Sequence, residues 1–218
     1  MENLGNLFKA NITGKKLAAI DLLDPENPKE LTYEELNYRC DAVARGLKNL
    51  NLGVGDRIAI LAQNRIEYIE VVFGALRAGC VPVPINFKLA TSSIQFIIDD
   101  ADVECVFVDG DFFNPLNFDR PVINFDQDYE PFLDHGDFTA VDVTQKQVSM
   151  QLYTSGTTGR PKGVLLTHTG QGWASNALVK ARGLTDDDRI LISAPFFHKN
   201  ALVAIKTAML PGASLVIM

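Results

Sequence analysis

The chain has 218 residues, of which 47% are apolar and 22% charged, so it can bury a core of ordinary size for a globular protein. Its formal net charge of −7, without any cluster of Lys and Arg, argues against nucleic acid or an anionic membrane as the main partner. Cys40, Cys80 and Cys105 lie far apart and no stretch reaches the roughly 18 apolar residues of a membrane helix, which predicts a cytoplasmic protein without disulfides, zinc or integral membrane contact.

Helical and strand patterns alternate from the start of the chain. Thr32 followed by Glu35 is typical of a capping box, and apolar residues then recur at helical spacing as far as Leu50. Residues 57–62 form the pattern of a buried strand, and residues 66–78 the pattern of an amphipathic helix. This order predicts parallel strands connected by helices.

The same alternation continues through the middle of the chain. Residues 80–85 resume a strand, but their two prolines favour either a position at the edge of a sheet or an early end of the strand. A helix over residues 92–100 and a strand over residues 104–108 follow, with a short strand over residues 121–125. Residues 126–143 are acidic and aperiodic, which predicts an excursion over the surface.

Several conspicuous side chains in the second half receive structural interpretations. Thr167 is expected to cap a helix over residues 168–181, in which Trp173 is interpreted as a packing residue. The carboxylates of residues 186–188 are interpreted as a solvated turn and not as a metal site. His135 has no partner at useful spacing and is interpreted as a solvated loop residue.

A run rich in Gly, Ser and Thr occupies residues 153–163, with an apolar strand pattern on each side. Gly156 and Gly159 allow the backbone to take left-handed angles, so that amide hydrogens can converge on phosphate oxygens. Lys162 supplies a positive charge that can neutralise a leaving pyrophosphate. The run is not a Walker A motif, because proline precedes this lysine and glycine follows it. A surface turn of the same composition is the alternative.

The run predicts a phosphate-binding site for ATP. The cradle consists of hydroxyl-bearing residues and glycines, and the electrostatic role belongs to Lys162. The predicted cradle residues are Thr154, Ser155, Gly156, Thr157, Thr158 and Gly159.

A second candidate, His198, follows the stiff sequence Pro195-Phe196-Phe197. A strand pattern ends near residue 193, so this histidine can lie at the carboxyl end of a strand, where open α/β sheets place their sites. The alternative is a core histidine whose hydrogen bonds are satisfied beside two aromatic rings. Both interpretations stay open at this point.

The run at residues 153–163 resembles the phosphate-binding signature of the AMP-forming acyl-CoA synthetase family. Residues 31–37 resemble the family's Leu-Thr-Tyr-x-Glu-Leu element, and residues 76–86 its Leu-x-Ala-Gly-x-x-x-x-Pro-x-Asn element. Residues 194–198 resemble its Pro-x-x-His segment, which lines the acyl pocket. The similarity extends over about residues 30–218 and is specific to the superfamily without indicating the acyl substrate.

The resemblance implies an α/β fold of predominantly parallel sheets flanked by helices, the N-terminal part of an acyl-CoA synthetase-like large domain. Residues 1–218 would form an incomplete AMP-binding domain, because members of the family are more than twice this length. One sheet would come from about residues 55–183, and a second, truncated sheet from residues 1–54 together with residues 184–218. Strands near residues 190–193 and 215–218 would then leave an unpaired apolar edge that favours a homo-oligomer.

The resemblance also implies a reaction. A carboxylic acid attacks the α-phosphorus of Mg²⁺-bound ATP to give an acyl-adenylate, which then forms a thioester with coenzyme A. The cradle and Lys162 would hold the β- and γ-phosphates, and His198 would orient or gate the acyl group. The isolated chain is expected to be inactive alone.

Three alternatives remain open. The chain can be a non-catalytic nucleotide-binding module, a scaffold that docks a partner through its truncated sheet, or part of an adenylation domain that loads a carrier protein.

Overall fold

A computed structural model describes residues 3–11, 15–110, 112, 116–154 and 160–218. Within these residues the strands are β1 Leu17–Asp21, β2 Lys29–Thr32, β3 Arg57–Leu61, β4 Val81–Pro84, β5 Val103–Val108, β6 Val122–Asn124, β7 Val148–Thr154, β8 Lys162–Thr167, β9 Arg189–Ile192 and β10 Ser214–Ile217. The α-helices are α1 Tyr33–Asn49, α2 Ile66–Ala78, α3 Thr91–Asp100, α4 Tyr129–Phe132, α5 His168–Arg182 and α6 Lys199–Met209. Short 3₁₀ turns cover Leu4–Asn6 and Lys9–Asn11.

Strands from the two ends of the chain form one sheet, which we call the mixed sheet. Its order is β2-β1-β10-β9, with β1 parallel to β10, β10 parallel to β9, and β2 antiparallel to β1. The prediction that the last strand lies at an open edge is wrong, because β10 has β1 on one side and β9 on the other. Of the two strands predicted to be exposed, only β9 lies at the margin of the described sheet.

The second sheet, which we call the parallel sheet, has the order β4-β3-β5-β6 with every neighbouring pair parallel. Its strands follow buried apolar patterns, as expected for a sheet covered by helices on its faces. The two prolines of β4, Pro82 and Pro84, lie on its edge strand, which confirms the edge position inferred from them.

β7 and β8 form a separate antiparallel hairpin, and β7 packs beside β4. Residues 55–183 therefore carry two hydrogen-bonded units, the parallel sheet and this hairpin. Together with the mixed sheet they confirm an α/β fold with predominantly parallel strand pairing.

Local signals set the ends of the main helices. Thr32 and Glu35 form the predicted capping box at the start of α1, with both side-chain to backbone hydrogen bonds present. α2 ends at Gly79, whose φ of +87° is a left-handed angle that favours glycine. Thr167 caps α5 by accepting a hydrogen bond from the backbone N–H of Gly170. These caps explain why the predicted helices have the observed bounds.

Two interpretations of single segments need correction. The acidic excursion over residues 126–143 is only partly a surface loop, because it contains the short helix α4, whose Tyr129 is buried and donates a hydrogen bond to Glu70 at 2.7 Å. A four-residue helix is too short for a periodic signal. Trp173 is 74% exposed on α5, so its interpretation as a packing residue is wrong.

The other interpretations agree with the structure. His135 is exposed and stacks on Tyr38, with ring centroids 5.2 Å apart. Asp186 forms an ion pair with Lys16 at 2.8 Å, and Asp188 accepts a hydrogen bond from the backbone N–H of Thr185. Across the described parts of the chain, no helix has both the length and the apolar content required to cross a membrane.

Candidate active site

The glycine-rich run connects the two strands of the hairpin. Thr154 at the end of β7 pairs with Lys162 at the start of β8, and Tyr153 pairs with Gly163. The side chains of Thr154 and Lys162 are both exposed. The remaining predicted cradle residues, Ser155, Gly156, Thr157, Thr158 and Gly159, lie outside the described residues. The structure thus places the two ends of the predicted cradle side by side.

Hydrogen bonds anchor the strand that leads into this turn. The hydroxyl of Tyr153 donates to the carboxylate of Asp100 on α3 at 2.6 Å and accepts from the side-chain amide of Gln151 at 2.9 Å. Partial burial and the Asp100 carboxylate raise the pKa of Tyr153, so the phenol keeps its proton and remains a donor. A Cβ on Gly163 would lie 2.9 Å from the Gln151 amide nitrogen, so a larger residue there would displace the Gln151 side chain from this network.

A cleft of about 330 Å³ opens beside the turn. Thr154 and Pro161 line it from the hairpin, and His198 and Phe197 line it from the segment before α6. Its opposite wall comes from the region around the end of β4 and from α3, and consists of Pro84, Asn86, Leu89, Ser93 and Ile97. Ends of β7, β4 and β9 thus converge on one opening, as expected for a ligand site in an α/β fold.

His198 is exposed at the start of α6, in contact with the ring of Phe197 at a centroid distance of 4.6 Å. It makes no capping hydrogen bond with its side chain. The alternative of a core histidine is therefore wrong, and the imidazole is available to a ligand in the cleft. Lys162 does not line the cleft itself but stands beside it on β8.

Aromatic side chains near the cleft contact one another. The ring of Phe87 stacks on Phe112 at 4.9 Å and meets the ring of Phe197 edge to face at 5.5 Å. These contacts connect the loop after β4 to the segment that carries His198.

One residue that holds this segment, Asn64, was not predicted from the sequence. The Asn64 side chain, which follows β3, accepts a hydrogen bond from the backbone N–H of Phe196 at 2.8 Å. Its amide nitrogen donates to the carbonyls of Ala194 and Met218 at 3.1 and 2.8 Å. Asn64 thereby joins the parallel sheet to the mixed sheet next to His198. The available signal was its position just after a buried strand, where α/β sheets place functional side chains.

Among the described residues, no three side chains of the types His, Cys, Asp and Glu come close enough together to hold a metal ion. The described part of the cleft consists instead of hydroxyl, amide, imidazole and apolar groups, with the ammonium of Lys162 nearby. Such a set suits a ligand with polar and apolar parts, whose anionic portion faces the turn.

Comparisons with known proteins identify the family of the chain. The sequence model of a family described as AMP-binding enzyme matches residues 9–218. The long-chain-fatty-acid–CoA ligase FadD13 of Mycobacterium tuberculosis is 30% identical over 235 residues, covering 100% of this chain and 45% of its own length. A fatty acid–[acyl-carrier-protein] ligase, ScoC, of Streptomyces coeruleorubidus is 32% identical over 197 residues, covering 80% of this chain and 36% of its own length.

Solved structures give the same result. The N-terminal domain of FACL13 from Mycobacterium tuberculosis, crystallised with an inhibitor, has a TM-score of 0.90 and 28% identity, covering 100% of this chain and 57% of that chain. The chain spans less than half the length of the two curated relatives.

Proposed function

The chain belongs to the family of AMP-binding enzymes, and from this premise we propose that it is the N-terminal part of an ATP-dependent, AMP-forming carboxylate–CoA ligase. One observation carries the proposal: Thr154 and Pro161, on either side of the glycine-rich turn, line the same cleft as His198. In the proposed complex, the turn holds the triphosphate of ATP and the cleft receives the carboxylic acid.

The proposed reaction has two steps. A carboxylate oxygen of the substrate forms a bond to the α-phosphorus of ATP while the bond from that phosphorus to pyrophosphate breaks. The thiol of coenzyme A then attacks the acyl carbon, and AMP leaves with the electrons of the broken acyl–oxygen bond. Mg²⁺ enters with ATP as part of the substrate and balances phosphate charge. Adenylation is needed because a free carboxylate has no good leaving group.

The chain's own residues act by positioning and electrostatics. Thr154, the turn that follows it and Lys162 hold the β- and γ-phosphates, which lowers the cost of the charge that develops on pyrophosphate. His198 orients the acyl group from the segment before α6. Tyr153 acts indirectly, because its hydrogen bond to Asp100 fixes the strand from which the turn departs.

The proposal is compatible with two acceptors of the acyl group, coenzyme A and a carrier protein. The name of FadD13 specifies a CoA ligase, whereas the name of ScoC specifies an acyl-carrier-protein ligase at similar identity. Both acceptors present a thiol to the same acyl-adenylate, so the described cleft serves either reaction. The first half-reaction, adenylation, is therefore the part of the proposal that the described residues support.

The test measures ATP binding to the purified chain by isothermal titration, with Lys162→Ala as the informative variant. Removal of one charge-assisted contact costs roughly 1.5–3 kcal/mol, so we expect the affinity for Mg²⁺-ATP to fall about tenfold or more. Lys180→Ala is the matched control, since Lys180 is an exposed lysine on α5 that does not line the cleft. Equal affinities of the wild type and Lys162→Ala would contradict the assignment of the turn.

A second measurement distinguishes binding from chemistry. We expect the chain to bind ATP without releasing pyrophosphate when carboxylic acids are added, because the chain spans less than half of the relatives' length. Carboxylate-dependent release of pyrophosphate by the isolated chain would show instead that these residues suffice for adenylation.

A further inference from the structure

Away from the cleft, α6 buries a lysine. Lys206 is 3% exposed, and its ammonium donates a hydrogen bond to the side-chain oxygen of Gln171 on α5. The amide nitrogen of Gln171 donates in turn to the hydroxyl of Ser149 on β7 at 2.5 Å, and that hydroxyl donates to the carbonyl of Leu166 on β8 at 3.1 Å. The ammonium is thus held in a fixed position by a chain of polar groups.

Among the described residues, no acidic side chain forms an ion pair with Lys206. The ion pairs found among the described residues do not include Lys206, and its hydrogen-bond partner Gln171 is neutral. A buried ammonium normally has a carboxylate partner, because desolvation of an unpaired charge is costly. The structure therefore contains a buried lysine amine that needs a counter-ion when protonated, and the described part of the chain supplies none.

Lys206 borders a cavity of about 320 Å³ between β8, α5 and α6. Its walls are largely apolar and include Leu165, Ala174 and Val203, while a second lysine, Lys199, stands at its exposed side. The described residues that line the cavity include neither Asp nor Glu. The cavity shares no lining residue with the cleft beside His198.

Electrostatics within the cavity favour an anion. Burial, followed by the charge of Lys199, lowers the pKa of Lys206 to about 7. An anion placed against the ammonium would offset both contributions, since it supplies the missing opposite charge to Lys206 and to Lys199. The apolar walls at the same time disfavour a small, strongly hydrated ion and favour a ligand with a hydrocarbon body.

We propose that this cavity binds a small amphipathic carboxylate, with its carboxylate group paired to the Lys206 ammonium and its hydrocarbon body against Leu165, Ala174 and Val203. The site goes beyond the proposed ligase function, because it requires neither ATP nor the turn at residues 153–163. Lys199 adds a second cation at the opening and attracts the anion from solvent.

The test uses octanoate as the probe, with binding to the purified chain measured by isothermal titration in the absence of nucleotide. We expect octanoate to bind the wild type, and its affinity to fall at least tenfold in Lys206→Met, which keeps the length of the side chain and removes the charge. Octanol, which has the same hydrocarbon body without the carboxylate, should bind both proteins equally and more weakly than octanoate binds the wild type. Lys180→Met on the exposed side of α5 should leave octanoate binding unchanged.

A stability measurement separates this role from a purely structural one. Lys206→Met leaves the buried side-chain oxygen of Gln171 without its donor, so the urea midpoint of each free protein is its own reference. Added octanoate should raise the midpoint of the wild type and not that of the variant. If Lys206→Met does not fold, Ala174→Phe provides the same test, since it fills the cavity from α5 and leaves Lys206 in place.

Two results would overturn the proposal: absence of octanoate binding to the wild type, or equal binding to the wild type and to whichever of these two variants folds. Binding of ATP in the Lys162 experiment is independent of both, so failure here is distinguishable from failure of the proposed function.

Discussion

At the scale of single residues, the polar groups with the clearest physical consequences are buried ones. His168, the first residue of α5, is 1% exposed, and its Nδ1 accepts a hydrogen bond from the backbone N–H of Leu4 at 3.2 Å. This bond ties the N-terminal segment to α5 and requires an unprotonated Nδ1. Burial lowers the pKa of His168 to about 4, so the ring is neutral in the folded chain at neutral pH.

His168 should therefore make the fold sensitive to acid. The unfolded chain gains a proton on this ring near pH 6.5, whereas the folded chain resists it until about pH 4, so stability falls as the pH decreases between these values. The loss amounts to roughly 3–4 kcal/mol at most, from 1.36 kcal/mol per pKa unit. His168→Asn keeps an acceptor for the Leu4 N–H but cannot titrate, so its urea midpoint should decline less over this range.

The comparison isolates the histidine because the carboxylates of both proteins titrate alike. His135→Asn is the control, since His135 is exposed and its replacement should leave the acid dependence of the wild type unchanged. Parallel decline of the wild type and His168→Asn between pH 6.5 and 4 would show that another group governs the acid sensitivity.

Residues that border the cleft were easier to predict from the sequence than buried titratable side chains. Thr154 and His198 were found because turn-forming residues and a histidine after a strand are local patterns. Lys206 and His168 were not, because a helix that buries lysine or histidine looks like any amphipathic helix until its neighbours are known. The interpretation of Trp173 as a packing residue was wrong for the same reason. A large apolar ring does not indicate which face of α5 packs against the core.

At the scale of elements, glycines decide how closely the helices approach. A Cβ on Gly74 of α2 would lie 2.6 Å from the Cβ of Val43 on α1 and 2.7 Å from the carbonyl of Cys40. The two helices pack at this point with backbone nearly in contact. In α5, by contrast, a Cβ on Gly172 would meet only the Cδ2 of Leu4, at the ordinary distance of 3.6 Å.

The same substitution should consequently have opposite effects in the two helices. Gly74→Ala forces α1 and α2 apart and should destabilise the fold by about 1–3 kcal/mol, the cost of an overpacked core. Gly172→Ala gains helix propensity without a clash and should stabilise the fold by roughly 0.5–1 kcal/mol. Urea unfolding followed by circular dichroism measures both. Similar changes in the two variants would mean that helix propensity alone determines the outcome and that α1 can move away from α2.

Helix bounds were predictable because caps are encoded within a few residues, as for Thr32 and Glu35 at α1 and Gly79 after α2. The order of the strands within each sheet was harder to predict from the sequence. β10 was expected at an edge but lies between β1 and β9, and its partner β1 begins almost two hundred residues earlier in the chain. A local apolar pattern predicts a strand but not the strands that pair with it, so the pairing of β10 could not be predicted from residues 214–217.

At the scale of the whole molecule, the described elements build the cleft by bringing strand ends together. Thr154 ends β7, Asn86 follows β4, and His198 follows β9, so each of the three strand-containing units contributes to the same opening. Asn64 links two of these units by its three hydrogen bonds. The arrangement explains why the site motifs are dispersed over the sequence and adjacent in space.

The mixed sheet also has a margin that should promote association of two copies. β9 pairs with β10 on one side and has no neighbouring strand on the other within the described residues. Its Leu191 is 58% exposed. An unpaired strand with an exposed apolar side chain is a template for pairing with another chain. We therefore expect concentration-dependent self-association of the isolated chain through β9.

Leu191→Lys should weaken this association, because charged side chains on an edge strand oppose pairing with a second strand. Sedimentation velocity over a range of protein concentrations should show the wild type shifting towards dimer and the variant remaining largely monomeric. Leu23→Lys is the matched control: Leu23 is 59% exposed but lies after β1, away from β9, so this variant should associate as the wild type does. A wild type that stays monomeric at high concentration, or a Leu23→Lys variant that loses association equally, would show that the β9 margin does not drive assembly.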